Sequence, residues 1–190
     1  MEHEDGCFAV RAARKAIEAE VTDSTAELVF PPAFDTECGV FVTINTYPEG
    51  GLRGCIGYPE PVLPLKDALV QSAQSACHDP RFPPLTEREA AACTVDVTIL
   101  TRPEPMDKSG LPGSIEIGKH GLIIQFGRRR GVLLPQVPVE WDWDAEEFLE
   151  QLCYKAGLPP DAWRLKDAEI LSFQGELFRE KEPNGRIVRD

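Results

Sequence analysis

The 190-residue sequence holds no apolar run near the roughly 18 residues that span a bilayer. Its opening, Met1 to Asp5, is acidic where an export signal would be basic. Both absences point to a cytoplasmic protein that does not enter a membrane. There is no C-x-x-C pair, so the strongest zinc spacing is missing and no metal is expected. Phosphate-loop, dinucleotide, H-E-x-x-H and G-x-S-x-G motifs are missing too, and no cofactor is expected. Positive charge is scarce: Lys and Arg number 20 against 32 acids, a net charge of −12. Such a surface repels duplex DNA and anionic lipid at long range, and leaves RNA open only through a local basic patch.

What is present fits a globular chain. At 42% hydrophobic and 27% charged residues, wholesale disorder is disfavoured. The length suits about one domain with a core of its own. Six cysteines stand at 7, 38, 55, 77, 93 and 153. A reducing compartment argues against disulfides, and most of the six read as small buried hydrophobes.

The spacing predicts a helix over 7–22, with Ala9, Ala13, Ile17 and Val21 inward and Arg11, Arg14, Lys15 and Glu18 largely off that line. Val40, Val42 and Ile44 alternate with Phe41, Thr43 and Asn45 as in a strand, and 52–57 returns after a turn. Pro64 opens a helix that runs through Ala76. Asp79 to Leu85 holds three prolines and is a loop. Thr86 and Glu89 form a capping box, and Val95, Val97 and Ile99 mark a strand. Three short β segments are expected at 115–118, 122–127 and 132–134, after a Pro/Gly-rich loop. Asp144 and Glu147 begin a helix that Gly157 ends. One or two strands fall between 168 and 179, and 180–190 is expected to be a mobile tail. Hairpins without regular β-α-β alternation make this an α+β fold with mainly antiparallel sheets.

Five stretches carry candidate chemistry. In Leu52-Arg53-Gly54-Cys55-Ile56-Gly57, a regular strand puts Arg53 and Cys55 on one face, where a guanidinium favours the thiolate. Gly54 and Gly57 then leave room for a ligand beside the main chain. A tight strand with a buried Cys and a solvated Arg is the plainer alternative. In His78-Asp79-Pro80-Arg81-Phe82-Pro83-Pro84, proline stiffness holds Asp79 and Arg81, which either pair or face an anion. Asp79 as a mere cap is the alternative. Cys77 and His78 diverge by about 100° on a helix and make poor joint metal ligands. Gly118-Lys119-His120-Gly121 offers a titratable histidine, or an ordinary turn. Arg128, Arg129 and Arg130 form a basic tip, with no acid between 119 and 131, whereas 140–150 holds six acids and no base. Trp141 and Trp143 suit a ligand wall, a protein interface or packing at a helix entry.

Taken in order, Gly39-Val40-Phe41-Val42-Thr43, L-R-G-C-I-G at 52–57, D-P-R-F-P-P-L at 79–85, I-G-K-H-G-L at 117–122, L-P-Q-V at 134–137 and Cys153 to Leu158 resemble the AMMECR family over about residues 8–180. The resemblance implies one α+β domain of two unequal subdomains, with a cleft lined by these motifs, inside the cell. It draws no border between the subdomains and carries no assigned reaction. In prokaryotes the family travels with Memo-type and radical SAM proteins, which makes those the implied partners. Two functions follow as expectations. The first is a site for a small or anionic substrate, with Cys55 as nucleophile, Arg53 favouring its thiolate and His120 moving a proton. Asp79, Arg81, Lys119, Gly54 and Gly57 would bind the substrate. The second is a non-catalytic adaptor for a Memo-type or radical SAM protein, with RNA a weaker third.

Overall fold

The computed structural model describes residues 2–189. The chain divides into two compact units: one uses the chain up to Leu100 and again from Glu176, and the other is Thr101–Gly175.

The first unit opens with α1, His3–Val21. Ala9, Ala13 and Ile17 are fully buried, as the four-residue spacing predicts. Arg14, which lies off that line, is buried as well. It is held by Glu180 and by the carbonyls of Ala90 and Cys93. Strand β1, Val40–Thr46, turns into antiparallel β2, Leu52–Tyr58. Helix α2, Leu65–Ala76, follows Pro64, and α3, Glu87–Ala92, starts at the Thr86–Glu89 capping box. Strand β3, Cys93–Leu100, pairs with the other side of β1, so the order is β2-β1-β3 with β2 at the edge. Val40, Val42 and Ile44 join Val95, Val97 and Ile99 on the face buried with α1 and α2.

The second unit holds the two-residue strand β4, Glu104–Pro105, then β5, His120–Phe126, and β6, Arg129–Leu133. Next come a short helix α4, Gln136–Glu140, and α5, Ala145–Lys155. Asp144 caps α5 and Gly157 follows it at φ 69°, as expected. Phe148, Leu149 and Leu152 pack with Leu122, Ile124, Trp163 and Ile170 in a second core. The last long strand is β7, Glu169–Glu180, whose first part pairs with β4 on one side and β5 on the other. All these pairings are antiparallel, and the fold is α+β.

Two expected segments differ. Residues 115–118 are not a strand: the chain turns over 117–119, where Lys119 and His120 N–H both return to the Glu116 carbonyl, at 3.2 and 3.0 Å. The 180–190 tail is partly ordered in the first unit, because β8, Ile187–Arg189, pairs with Phe178–Glu180 and buries Ile187.

Candidate functional site

Cys55 lies on the edge strand of the first unit, and its surroundings come from one rigid loop. Its N–H donates to Asp79 Oδ2 at 2.9 Å, and its C=O accepts from Arg81 Nη2 at 3.3 Å. Asp79 is almost wholly buried, at 2% exposure. It pairs side-on with Arg81, Oδ1 to Nε at 3.0 Å and Oδ2 to Nη2 at 2.6 Å, and also accepts the Arg81 N–H. The arginine and these N–H donors hold the Asp79 carboxyl well below the usual carboxylate range, against the opposing effect of burial. Arg81 is raised in turn, first by its bond to Asp79, with a smaller contribution from the charge of Cys55. Arg81 is half-exposed, and its Nη1 has no partner among the described residues. Thr43, directly opposite Cys55 on β1, donates its hydroxyl to Sγ at 3.1 Å.

Arg53 is placed differently from the regular-strand expectation. The β1–β2 register runs Ile44↔Gly54 and then Asn45↔Leu52, so Arg53 is the extra residue of a β-bulge. The bulge breaks the two-residue alternation that would have put Arg53 on the Cys55 face. Its guanidinium binds Glu89 at 3.1 and 3.2 Å and the carbonyls of Pro83 and Pro84 at 2.9 and 3.3 Å. This holds Glu89 down at about 2, chiefly through Arg53, with Thr86 adding to it. The Arg53 charge acts to lower the Cys77 and Cys93 thiols. Burial outweighs the arginine at both, and Cys77 is pushed up to about 12.

The glycines also play another part. A Cβ on Gly54 would sit 2.3 Å from the Ala76 carbonyl at the end of α2. One on Gly57 would sit 2.2 Å from the Val40 carbonyl and against the Phe41 ring. The side-chain positions expected to admit a ligand are filled by the protein itself. What these glycines supply is close approach of helix and strand to β2.

His120 and Lys119 belong to the second unit. The Glu116 N–H donates to His120 Nδ1 at 3.1 Å, which puts the proton of the neutral ring on Nε2. Lys119 is paired with Glu116 at 2.9 and 3.0 Å. Two of the three tip arginines are engaged within that unit, Arg129 by the Gly157 carbonyl and Arg130 by Gln125 Oε1 at 3.0 Å. Trp141 and Trp143 stack at 6.1 Å and 18°, with Trp143 against the second core and Trp141 68% exposed.

Of the candidates, the first unit therefore brings Cys55, Asp79 and Arg81 together and turns Arg53 elsewhere. Sequence reasoning missed Thr43 and Glu89 as neighbours. Glu89 was visible only as a cap, and nothing in the spacing tied it to Arg53. Among the described residues, no group of three or more His, Cys, Asp or Glu side chains is placed to hold a metal ion. Among the described residues no helix is long and apolar enough to cross a membrane.

Fold and site together define a class of α+β protein built on antiparallel sheets, in which a proline-rich loop clasps the edge strand that bears a cysteine. The chain belongs to the AMMECR1 family, whose profile matches residues 10–178. It is 48% identical over 191 residues to protein MJ0810 of Methanocaldococcus jannaschii, covering 97% of this chain and 94% of the relative. It is also 48% identical over 187 residues to a protein of Aquifex aeolicus, covering 97% and 93%. The crystal structure of the uncharacterized protein PH0010 from Pyrococcus horikoshii is similar, with a TM-score of 0.80 and 44% identity over 100% of this chain and 98% of that one.

Proposed function

We propose that the Cys55–Arg81 edge of β2 binds a small anionic substrate and presents the Cys55 thiol to it. The supporting observation is the buried Asp79 carboxylate. It fixes a half-exposed guanidinium against the Cys55 main chain and leaves Nη1 open. A guanidinium held in this way takes a carboxylate or phosphate with little further ordering. Arg81 assumes the part that spacing assigned to Arg53. Within the second unit, His120, whose neutral ring carries its proton on Nε2, stays the candidate for proton transfer, and Lys119 for an anion contact.

Alkylation of each thiol across pH, followed by mass spectrometry, tests this. Iodoacetamide is expected to label half-buried Cys55 ahead of Cys77, Cys93 and Cys153, whose thiols burial pushes up. Phosphate or succinate should slow labelling of Cys55, and Arg81→Gln should remove that protection. A Cys55 inert below about pH 8 loses the nucleophile. Labelling untouched by either anion loses the anion site.

A second reading is favoured by one observation, the exposure of Trp141 at 68% and Val139 at 58% on the second unit. It makes the chain a non-catalytic adaptor whose tryptophan surface receives a Memo-type or radical SAM partner. Co-purification from the native host discriminates. Under this reading Trp141→Ala loses the partner and Cys55→Ala keeps it.

A further inference from the structure

In an antiparallel pair, successive residues turn their main-chain groups alternately toward and away from the partner strand. The Cys55 N–H goes to Asp79 and its C=O receives Arg81, so Cys55 faces away from β1. Gly57, two residues on, faces away as well. No strand lies beyond β2 in the sheet order, and the outward N–H and C=O of Gly57 have no partner among the described residues. An open N–H and C=O on an edge strand is a template for an added strand. At Cys55, Asp79 and Arg81 already supply the acceptor and donor that an added strand would bring. Side chains therefore close one position of the edge, and the next is left open.

Two features stand beside the open position. Arg81 Nη1 is without a partner, as described above. A hollow of about 500 Å³ is lined by Ile56 and Pro80 together with Glu20, Gln74, Ser75 and His78. Ile56 lies between Cys55 and Gly57, and Pro80 between Asp79 and Arg81, so the hollow adjoins both. In strand addition the main chain supplies affinity and pockets beside the edge select side chains.

We propose that the ligand of this edge is a short extended peptide bearing a carboxylate. It pairs its main chain with Gly57, sets the carboxylate on Arg81 and lays one side chain in the Ile56–Pro80 hollow. The inference rests on the anion-binding reading of the same edge and names its substrate class. Cys55 and Gly57 are about 7 Å apart at the rise of a strand, so the carboxylate falls within about two residues of the paired amide. A chain terminus and an acidic side chain supply the same chemistry.

NMR titration of the full chain labelled with nitrogen-15 tests this, following the Gly57 amide and the Arg81 Nε–H. The probes are acetyl-Val-Thr-Val-Glu as its C-terminal amide, acetyl-Val-Thr-Val-Gln as the free acid, both again with N-methylated amides, and succinate. At least one unmethylated peptide is expected to shift both signals and to bind about tenfold or more tightly than succinate. N-methylation should cost about tenfold, because it removes the paired N–H. The peptide that binds better identifies the carboxylate as side chain or terminus. Arg81→Gln should weaken peptide and succinate alike. Methylated and unmethylated peptides of equal affinity, or succinate as tight as both, overturn the peptide while the anion reading stands. Succinate without any effect at Arg81 defeats the anion reading itself. Gly57 shifts that grow with protein concentration alone assign the edge to a second copy of the chain, and overturn the peptide.

Discussion

Asp79 carries a charge with almost no solvent contact, and it meets that cost with four donors: the Cys55 and Arg81 N–H groups and two guanidinium nitrogens. Replacing it with Asn removes the charge and leaves part of this set unmatched. Asp79→Asn is expected to cost about 2–3 kcal/mol at neutral pH, measured by urea unfolding. The folded carboxyl lies below its unfolded value, so its stabilisation is present above about pH 4 and is lost as pH falls through the folded value. The gap between wild type and Asp79→Asn should therefore narrow in acid. Glu89 has the same sign, with a window from about pH 4 down to about 2. Its side chain is 43% exposed, so solvent screening leaves it about 1 kcal/mol at most. The Asp79–Arg81 pair was legible in the sequence, because two opposite charges one residue apart in a proline-stiffened loop have few other places to go. The Arg53–Glu89 pair was not. A bulge adds one residue to a strand, and the alternation of residue types around Leu52, Arg53 and Gly54 does not mark where it falls.

At the scale of elements, α3 has only six residues and relies on its ends. Thr86→Ala removes the side chain that accepts the Glu89 N–H and should cost about 1 kcal/mol by thermal or urea unfolding. Gly54→Ala drives a methyl into the Ala76 carbonyl, a main-chain atom that cannot swing aside. Its expected cost is about 1–3 kcal/mol. Elements with strict periodicity or a cap were readable: α2, α3, β1, β3 and α5 all lie where spacing puts them. Two elements were not legible, for separate reasons. Ile115 and Ile117 alternate like strand residues, but Gly118 at φ 82° and the return of two N–H groups to Glu116 make a turn. Helix α4 had no reading from the sequence, since five residues holding a proline show no helical period. Pro135 and Pro138 occupy the cap and first turn, where a missing N–H costs nothing.

At the scale of the whole molecule, Arg14 and Glu180 close the first unit across 166 positions of sequence. Glu180 also accepts the Val95 N–H at 3.0 Å, and Arg14 reaches the Ala90 and Cys93 carbonyls at 2.7 Å. Glu180→Ala strands a buried guanidinium and should cost about 3–5 kcal/mol in equilibrium unfolding. No local pattern reveals such a pair, since Arg14 sits among charged residues of α1 and Glu180 near the charged end of the chain. The same distance explains why 180–190 read as a tail: its partners are strands and a helix supplied elsewhere in the chain.

Phe178 and Ile187 are core residues of the unit that α1 begins. A ribosome makes them after every other residue of that core. While the nascent chain emerges, the contiguous stretch Thr101–Gly175 has all its own residues before the first unit has its final ones. The middle of the chain can therefore settle first. Val40, Val42 and Ile44 share their core with Phe178 and Ile187, so that core is complete only after the second unit has been made.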